Sequence, residues 1–247
     1  MFEQTFGIPY YGLDEGGRIK TETLLQFLQE AAGLHANSIN IGVADLLKQD
    51  MTWVLRRYRV NIKSLPGKCG LNVRTWFEPH RNLFSVRVFE VTTQSGNLVA
   101  DAWSAWIVVD LKRGRPIRLD HALPDTYFAV SEPTGEPVTE EIASIGESFD
   151  HERAFQVRRR ELDLNGHANH TAYFDWAMES IPDEEITDLS PARLDAEFLS
   201  SVKRECVTVK TKKTSDHPGS FTHEITAEDG VLAAKIVTVW NRQHPFI

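Results

Sequence analysis

The chain of 247 residues carries 27 Lys and Arg against 35 Asp and Glu, a net charge of −8, with 41% apolar and 25% charged residues. This is ordinary globular usage, enough for one large domain or two small ones at ~100–200 residues each; it excludes global disorder, an apolar run of the ~18 residues that span a bilayer, and a generic nucleic-acid binder, which needs a basic face. Two cysteines, Cys69 and Cys206, exclude a disulfide framework, and the opening MFEQTFGIPYYG lacks the basic start and apolar stretch of a signal peptide, so a reducing cytoplasm is the expected setting.

In chain order the elements fall into two similar halves. The first opens with a helix over 21–32, where Leu24, Leu25, Phe27, Leu28, Ala31 and Ala32 recur at helical spacing. Thr21 or Thr23 can cap its start and Gly33 sits near its end. Four strand-like runs follow, at 53–62, 71–77, 84–92 and 99–109, with turns at Pro66-Gly67 and Ser95-Gly96-Asn97. The stretch 111–149 collects Gly114, Pro116, Pro124, Pro133, Gly135 and Pro137 and reads as an extended linker. In the second half a helix over 170–180 stops before Pro182. Strands are then expected at 194–202, 207–211, 220–226 and 231–240, with turns at 216–219 and at Asp229-Gly230.

The halves also match residue by residue. A shift of 149 puts Asp14 on Asp163, Gly17 on Gly166, Phe27 on Trp176 and Glu30 on Glu179. A shift of 136 puts Ile62 on Phe198, Leu71 on Val207, Val73 on Val209 and Thr75 on Thr211. Shared element order and spacing indicate a duplication. The expected architecture is α+β: one unit over 1–110, the linker over 111–149, and a second unit over 150–247. Each unit is a largely apolar helix wrapped by a curved antiparallel sheet.

The densest cluster of chemically useful side chains precedes the second helix. Asp163, Asn165 and His167 alternate, and alternate side chains of an extended segment share one face. Gly166 permits a sharp turn, and the helix is expected to begin near Asn169 with its N–H groups pointing back toward that face. A carboxylate, an amide and an imidazole at a helix start can hold a carbonyl and activate a water, with the N–H groups at Ala168 and Asn169 steadying the oxyanion. Asn169 also suits a plain helix cap. The pair His167 and His170, with no third ligand nearby, does not make a metal site, and no cofactor is expected. The first half has Asp14-Glu15-Gly16-Gly17-Arg18 at the equivalent place, without Asn or His, and looks chemically silent.

The string ELDLNGHANHTAYFDW resembles the signature of the acyl-acyl carrier protein thioesterases of plants and bacteria, approximately D-x-N-x-H-V-N-N-x-x-Y. Asp163, Asn165, His167, Asn169 and Tyr173 match it, while Ala168 replaces the valine and His170 the second asparagine. The resemblance implies a tandem (double) hot-dog fold whose N-terminal unit takes the acyl chain and whose C-terminal unit holds the catalytic motif. It implies thioester hydrolysis that releases a free fatty acid in fatty acid biosynthesis. Asn165 and a backbone N–H at the helix start would hold the carbonyl. Asp163 would serve the attacking water, and His167 would orient water or protonate the departing thiolate. Trp53, Phe77, Trp103 and Trp106 are candidate walls for the acyl chain.

The family also carries a catalytic glutamate in the following strand, often followed by cysteine. Arg204-Glu205-Cys206 offers that string, but the repeat aligns 203–206 with the turn at 67–70 and puts Ser201 at the glutamate's place. Glu205 is then expected to be a solvated turn residue, and Cys206 a small thiol rather than a nucleophile. The implied partner is an acyl carrier protein. Carrier proteins are acidic as a class, so docking needs a local basic patch; the candidates are Arg158, Arg159, Arg160, Lys203, Arg204, Lys210, Lys212 and Lys213. An acyl-CoA thioesterase and a non-catalytic acyl-binding protein of the same fold are the alternatives. Chain length preference is not legible in the sequence, and whether the protein forms a homodimer is left open.

Overall fold

In the computed structural model, residues 1–80, 83–128, 141–214, 217 and 219–242 are described. The chain divides into two compact units, Met1–Thr139 and Glu140–Ile247.

Unit 1 opens with β1 (Phe2–Gly7), a tight 3-10 turn at Tyr10–Gly12, α1 (Thr21–Ser38) and α2 (Val43–Leu47). It continues with β2 (Met51–Ile62), β3 (Gly70–His80), β4 (Phe84–Thr93) and β5 (Leu98–Asp110), then β6 (Arg115–Ile117), α3 (Leu119–Ala122) and α4 (Asp125–Phe128). The strands lie antiparallel in the order β1-β3-β4-β5-β2, with β6 on β5. α1 packs one face on this sheet: Leu24, Leu25, Leu28 and Ala31 are wholly buried while Glu22, Gln26, Gln29 and Glu30 face solvent. The helix runs past Gly33 instead of ending near it. A glycine inside a helix costs about 1 kcal/mol relative to alanine, and burial of His35 and Ala36 in the next turn offsets that.

Part of the stretch expected to be linker is core. β6 pairs with β5, and Leu119, Ala122, Leu123 and Tyr127 join Met51, Phe77 and Val108 in one buried cluster. Leu119, Ala122 and Leu123 sit at i, i+3 and i+4, a helical spacing; the prolines and glycines that suggested a linker only punctuate these short elements. Residues 129–140 of that stretch, and most of the turn expected at 216–219, lie outside the described residues. The segment 141–149 has no helix or strand, yet Ile142 and Ile145 are buried. Their N–H groups donate to the carboxylates of Glu197 and Glu224 at 3.3 and 3.2 Å, and their carbonyls accept from Lys235 and Lys212, each at 3.0 Å.

Unit 2 repeats the plan. β7 (His151–Gln156) leads to a 3-10 turn at Arg159–Glu161, α5 (His170–Glu179) and α6 (Asp183–Ile186). β8 (Leu189–Phe198), β9 (Cys206–Lys213), β10 (Ser220–Ala227) and β11 (Leu232–Arg242) follow. The antiparallel order β8-β11-β10-β9-β7 corresponds strand for strand to the order in unit 1, read from the other end. α5 is buried around most of its circumference, through Thr171, Ala172, Tyr173, Phe174, Trp176 and Ala177. Its C-terminal end is tied to the sheet by hydroxyls. The Nδ1 of His223 lies 2.8 Å from the Thr211 hydroxyl and 3.3 Å from that of Ser180, and Nε2 lies 3.1 Å from the Thr238 hydroxyl.

Burial holds three imidazoles neutral. His223 is pushed down to about 3, and His35 and His170 to about 4, from an ordinary 6.5. Below 6.5 the unfolded chain takes up protons that the folded chain refuses. Stability is therefore full above pH 6.5 and falls as the pH drops toward 4, by up to about 1.4 kcal/mol per pH unit for each histidine. Urea unfolding at pH 7 and pH 5 should show this loss, and His223→Gln should make it shallower while lowering stability at pH 7.

Candidate active site

The motif residues form a closed turn, not an extended segment. The N–H of Asp163 donates to the His167 carbonyl at 2.7 Å, the N–H of Gly166 donates to the Asp163 carbonyl at 3.0 Å, and Leu162 bridges to Ala168. Gly166 takes φ +73°, which completes the reversal. The Asp163 carboxylate locks it: Oδ1 accepts the N–H of Asn165 at 2.8 Å and of His167 at 3.2 Å. The expectation that Asp163, Asn165 and His167 share one strand face therefore fails. Asp163 and His167 stand across the mouth of the turn, and Asn165 is exposed at its tip beside Leu164, which is 92% exposed.

Unit 1 builds the same turn. Asp14 donates to Arg18 at 2.7 Å, Gly17 donates to Asp14 at 3.0 Å with φ +74°, Leu13 bridges to Ile19, and Asp14 Oδ1 accepts the Arg18 N–H at 2.8 Å. The difference lies in the side chains. In unit 1 the Arg18 guanidinium closes on Asp14 Oδ2, with Nη2 at 2.9 Å and Nε at 3.1 Å. In unit 2 the guanidinium is replaced by the His167 imidazole, and Asp163 Oδ2 has no hydrogen-bond partner among the described residues.

The N–H groups expected to form an oxyanion hole are engaged. Ala168 donates to the Val202 carbonyl at 2.8 Å and Asn169 to the Glu161 carbonyl at 2.7 Å. Unit 1 makes the same two bonds, from Ile19 to Pro66 at 2.8 Å and from Lys20 to Gly12 at 2.9 Å, so they belong to the scaffold. Asn169 does cap α5, its Oδ1 accepting the Thr171 N–H at 3.0 Å. The side chains of Asn165 and His167 make no hydrogen bond among the described residues and are available to a ligand.

Tyr173 joins the motif to the loop after β8. Its buried hydroxyl accepts the Val202 N–H at 3.2 Å, on the same residue whose carbonyl receives Ala168. Burial raises this phenol to about 12; the Val202 bond opposes the shift and the charges of Asp163 and Glu205 add to it. Glu205 lies in a turn, as expected, with Oε1 accepting the Lys203 N–H at 3.1 Å. That turn is held close to the motif: the Glu205 carbonyl accepts the Val157 N–H at 3.0 Å, and Val202 is bonded to Ala168. Ser201, which the register puts at the glutamate's place, is exposed, and Glu205 is half-buried with its charge acting on the Tyr173 phenol.

His170 points inward, its ring edge-on to Phe198 at 6.4 Å, and among the described residues no group of three or more His, Cys, Asp or Glu is placed to hold a metal ion. No helix among the described residues is long and apolar enough to cross a membrane. Of the expected wall residues, Phe77 and Trp53 lie in or against the core of unit 1, Trp103 packs under Arg59 at 5.6 Å, and the Trp106 indole donates to Ser104 at 2.8 Å.

A pair of hot-dog units with an Asp-locked turn before each central helix defines a class, and comparison with known proteins narrows it. Residues 1–127 match the acyl-ACP thioesterase N-terminal domain and residues 144–242 match its C-terminal domain. The chain belongs to the acyl-acyl carrier protein thioesterase family. It is 24% identical, over its whole length, to a chloroplastic palmitoyl-acyl carrier protein thioesterase of Cuphea hookeriana, of which it spans 64%. It is 25% identical, over 93% of its length, to oleoyl-acyl carrier protein thioesterase 2 of Arabidopsis thaliana, of which it spans 67%. The fold matches that of the 12:0-ACP thioesterase from Umbellularia californica, with a TM-score of 0.85, 20% identity and coverage of 98% and 97% of the two chains. It also matches an acyl-ACP thioesterase from Bacteroides thetaiotaomicron, with a TM-score of 0.83, 20% identity and 97% of each chain.

Replacing Tyr173 by Phe removes the acceptor of a buried N–H. The expected outcome is a loss of about 1–3 kcal/mol of stability, read by urea unfolding, with greater hydrogen exchange at the Val202 and Ala168 amides than at strand amides of unit 1.

Proposed function

We propose that the chain hydrolyses the thioester of an acyl-acyl carrier protein and releases the free fatty acid, with unit 1 taking the acyl chain and unit 2 doing the chemistry. One observation carries this reading. The two units share one Asp-locked turn, and in unit 2 the carboxylate keeps an oxygen clear of the cation that closes on it in unit 1, because His167 stands at the place of Arg18. Family membership and the printed activities of the relatives support the substrate class.

The chemistry follows from the turn. Asp163 Oδ2 accepts a proton of a water, whose oxygen attacks the thioester carbon. With the Ala168 and Asn169 amides engaged, the donor left on the turn for the carbonyl oxygen is the Asn165 amide. As the carbon–sulfur bond breaks, His167 delivers a proton to the leaving thiolate. A thiolate leaves easily, so one base and one or two donors suffice.

The basic residues sort into two groups. Lys210 lies 3.8 Å from Glu152, Lys213 lies 2.8 Å from Glu185, and Lys212 donates to the Ile145 carbonyl and the Ser148 hydroxyl. These three make contacts within unit 2. Arg158, Arg159, Arg160, Lys203 and Arg204 are exposed, and the bond from Val157 to Glu205 draws their two segments together beside the motif. This group suits an acidic carrier protein.

Two experiments test the reading. Asn at position 163 retains an oxygen for the two turn N–H groups but loses the charge. Asp163→Asn should fold normally and lower kcat by about 10²–10⁴ on acyl-carrier-protein substrates, whereas Asp14→Asn should leave kcat unchanged. Full activity of folded Asp163→Asn would remove the assignment. Reversing Arg159 and Lys203 to Glu should lower kcat/KM for carrier-protein substrates at low salt, less so at high salt, and leave short uncharged acyl-thiol surrogates unaffected; equal losses on both would count against docking at this patch.

A further inference from the structure

Leu164 is 92% exposed, more than any other large apolar side chain among the described residues. It stands at the tip of the turn before α5, and the turn holds it there. The Gly166 N–H returns to the Asp163 carbonyl at 3.0 Å, the Asp163 N–H donates to the His167 carbonyl at 2.7 Å, and Asp163 Oδ1 takes the N–H groups of Asn165 and His167. The fold does not call for an apolar residue at this place. Unit 1 closes the same turn with Glu15, also exposed, at the equivalent position, and turns ordinarily take small or polar residues. Packing within the chain gives this leucine almost nothing, so its apolar area remains available to a ligand.

A single exposed leucine is ordinary on a protein surface; this one is set apart by its neighbours. On one side is Asp163, the proposed base, and on the other Asn165, the proposed donor to the thioester carbonyl. Consecutive Cα atoms lie about 3.8 Å apart, so a thioester held by those two residues passes within a side chain's length of Leu164. The acyl chain leaves that carbonyl for an apolar interior, whereas a side chain this exposed faces the solvent, from which the other half of the substrate arrives. The thiol of a carrier protein, like that of CoA, ends a pantetheine arm: two short amide-linked methylene segments, then a carbon bearing two methyl groups, then a phosphate. The surface around the turn follows the same order. Leu164 is next to the reacting groups, and the exposed cations Arg158, Arg159, Arg160, Lys203 and Arg204 lie on the two segments that the Val157–Glu205 bond joins.

We propose that Leu164 packs on the methylene and paired methyl groups of the pantetheine arm and sets the preference of the enzyme for thioesters that carry it. This rests on the reading that Asp163 and Asn165 act on a thioester. The locked turn presents the side chain already ordered, which lowers the entropic cost of the contact, and the contact removes apolar area of both partners from water. It is made in the ground state and the transition state alike, so it acts on KM rather than kcat.

The test compares two thioesters of one acyl chain, one on pantetheine and one on N-acetylcysteamine, which keeps the sulfur and the first amide but lacks the methyl-bearing carbon. The wild type should favour the pantetheine thioester in kcat/KM, mainly through KM. Leu164→Ala should lower that ratio roughly five- to tenfold, and Leu164→Met should keep it. A wild-type ratio near one, or an unchanged ratio in folded Leu164→Ala, overturns the proposal. The methyl NMR signals of Leu164 in the wild type give a second measurement that needs no turnover: free pantetheine should shift them and N-acetylcysteamine should not. Signals that stay in place, or that shift equally with both, overturn the proposal. If no thioester is hydrolysed but pantetheine alone moves the signals, the thioesterase reading fails and the arm contact survives.

Discussion

A carboxylate has two oxygens, and in this fold one of them is committed. In each unit an aspartate lies at the start of a five-residue turn, and its Oδ1 accepts backbone N–H groups that would otherwise be left without partners. The turn sets the entry into the central helix, and its flanking N–H groups run to fixed carbonyls, Pro66 and Gly12 in one unit, Val202 and Glu161 in the other. What remains for chemistry is Oδ2. In unit 1 Arg18 takes it. In unit 2 the residue at that place is too short and of the wrong shape to do so, and the oxygen stays open. The proposed reactivity rests on one substitution in a shared backbone turn.

Much of this was legible in the sequence, because the duplication was. The shifts of 149 and 136 carry over to the structure as matching turns and matching strand order, down to Thr75 and Thr211 on equivalent strands. Both helices and eight of the strands follow from hydrophobic spacing. β1 and β7 were missed because they are mostly exposed strands, with too few buried positions for a strong pattern; β7 reads His-Glu-Arg-Ala-Phe-Gln. The core role of 119–128 was hidden by flanking prolines, which carry the same signature in a linker as in short capped elements.

The candidate site is legible in composition but not in geometry. Asp163, Asn165 and His167 stand out in the sequence as candidates, yet their alternation suggests an extended strand, whereas Gly166 and the Asp163 side chain close the segment on itself. The loss of the Ala168 and Asn169 donors could not be read at all, since their acceptors are the backbone carbonyls of Val202 and Glu161, and backbone acceptors leave no trace in sequence. The bonds that tie the segment 201–205 to the motif, from Val157 to the Glu205 carbonyl and from Val202 to the Tyr173 hydroxyl, likewise use backbone groups and leave no trace in sequence.

The interiors diverge in the opposite sense from the turns. Unit 2, with its open carboxylate, has a core in which the buried polar groups answer one another: His223 lies between the hydroxyls of Thr211, Ser180 and Thr238, and Phe221 fills the centre of the sheet. Unit 1, with its carboxylate neutralised by Arg18, has at the equivalent strand position Arg87, which donates to His35 and Thr75. The two copies thus depart from the shared plan in different places, unit 1 at the centre of its sheet, where Arg87 stands for Phe221, and unit 2 in its turn, where His167 stands for Arg18. Divergence in the sheet of one copy and in the turn of the other leaves the backbone of both intact.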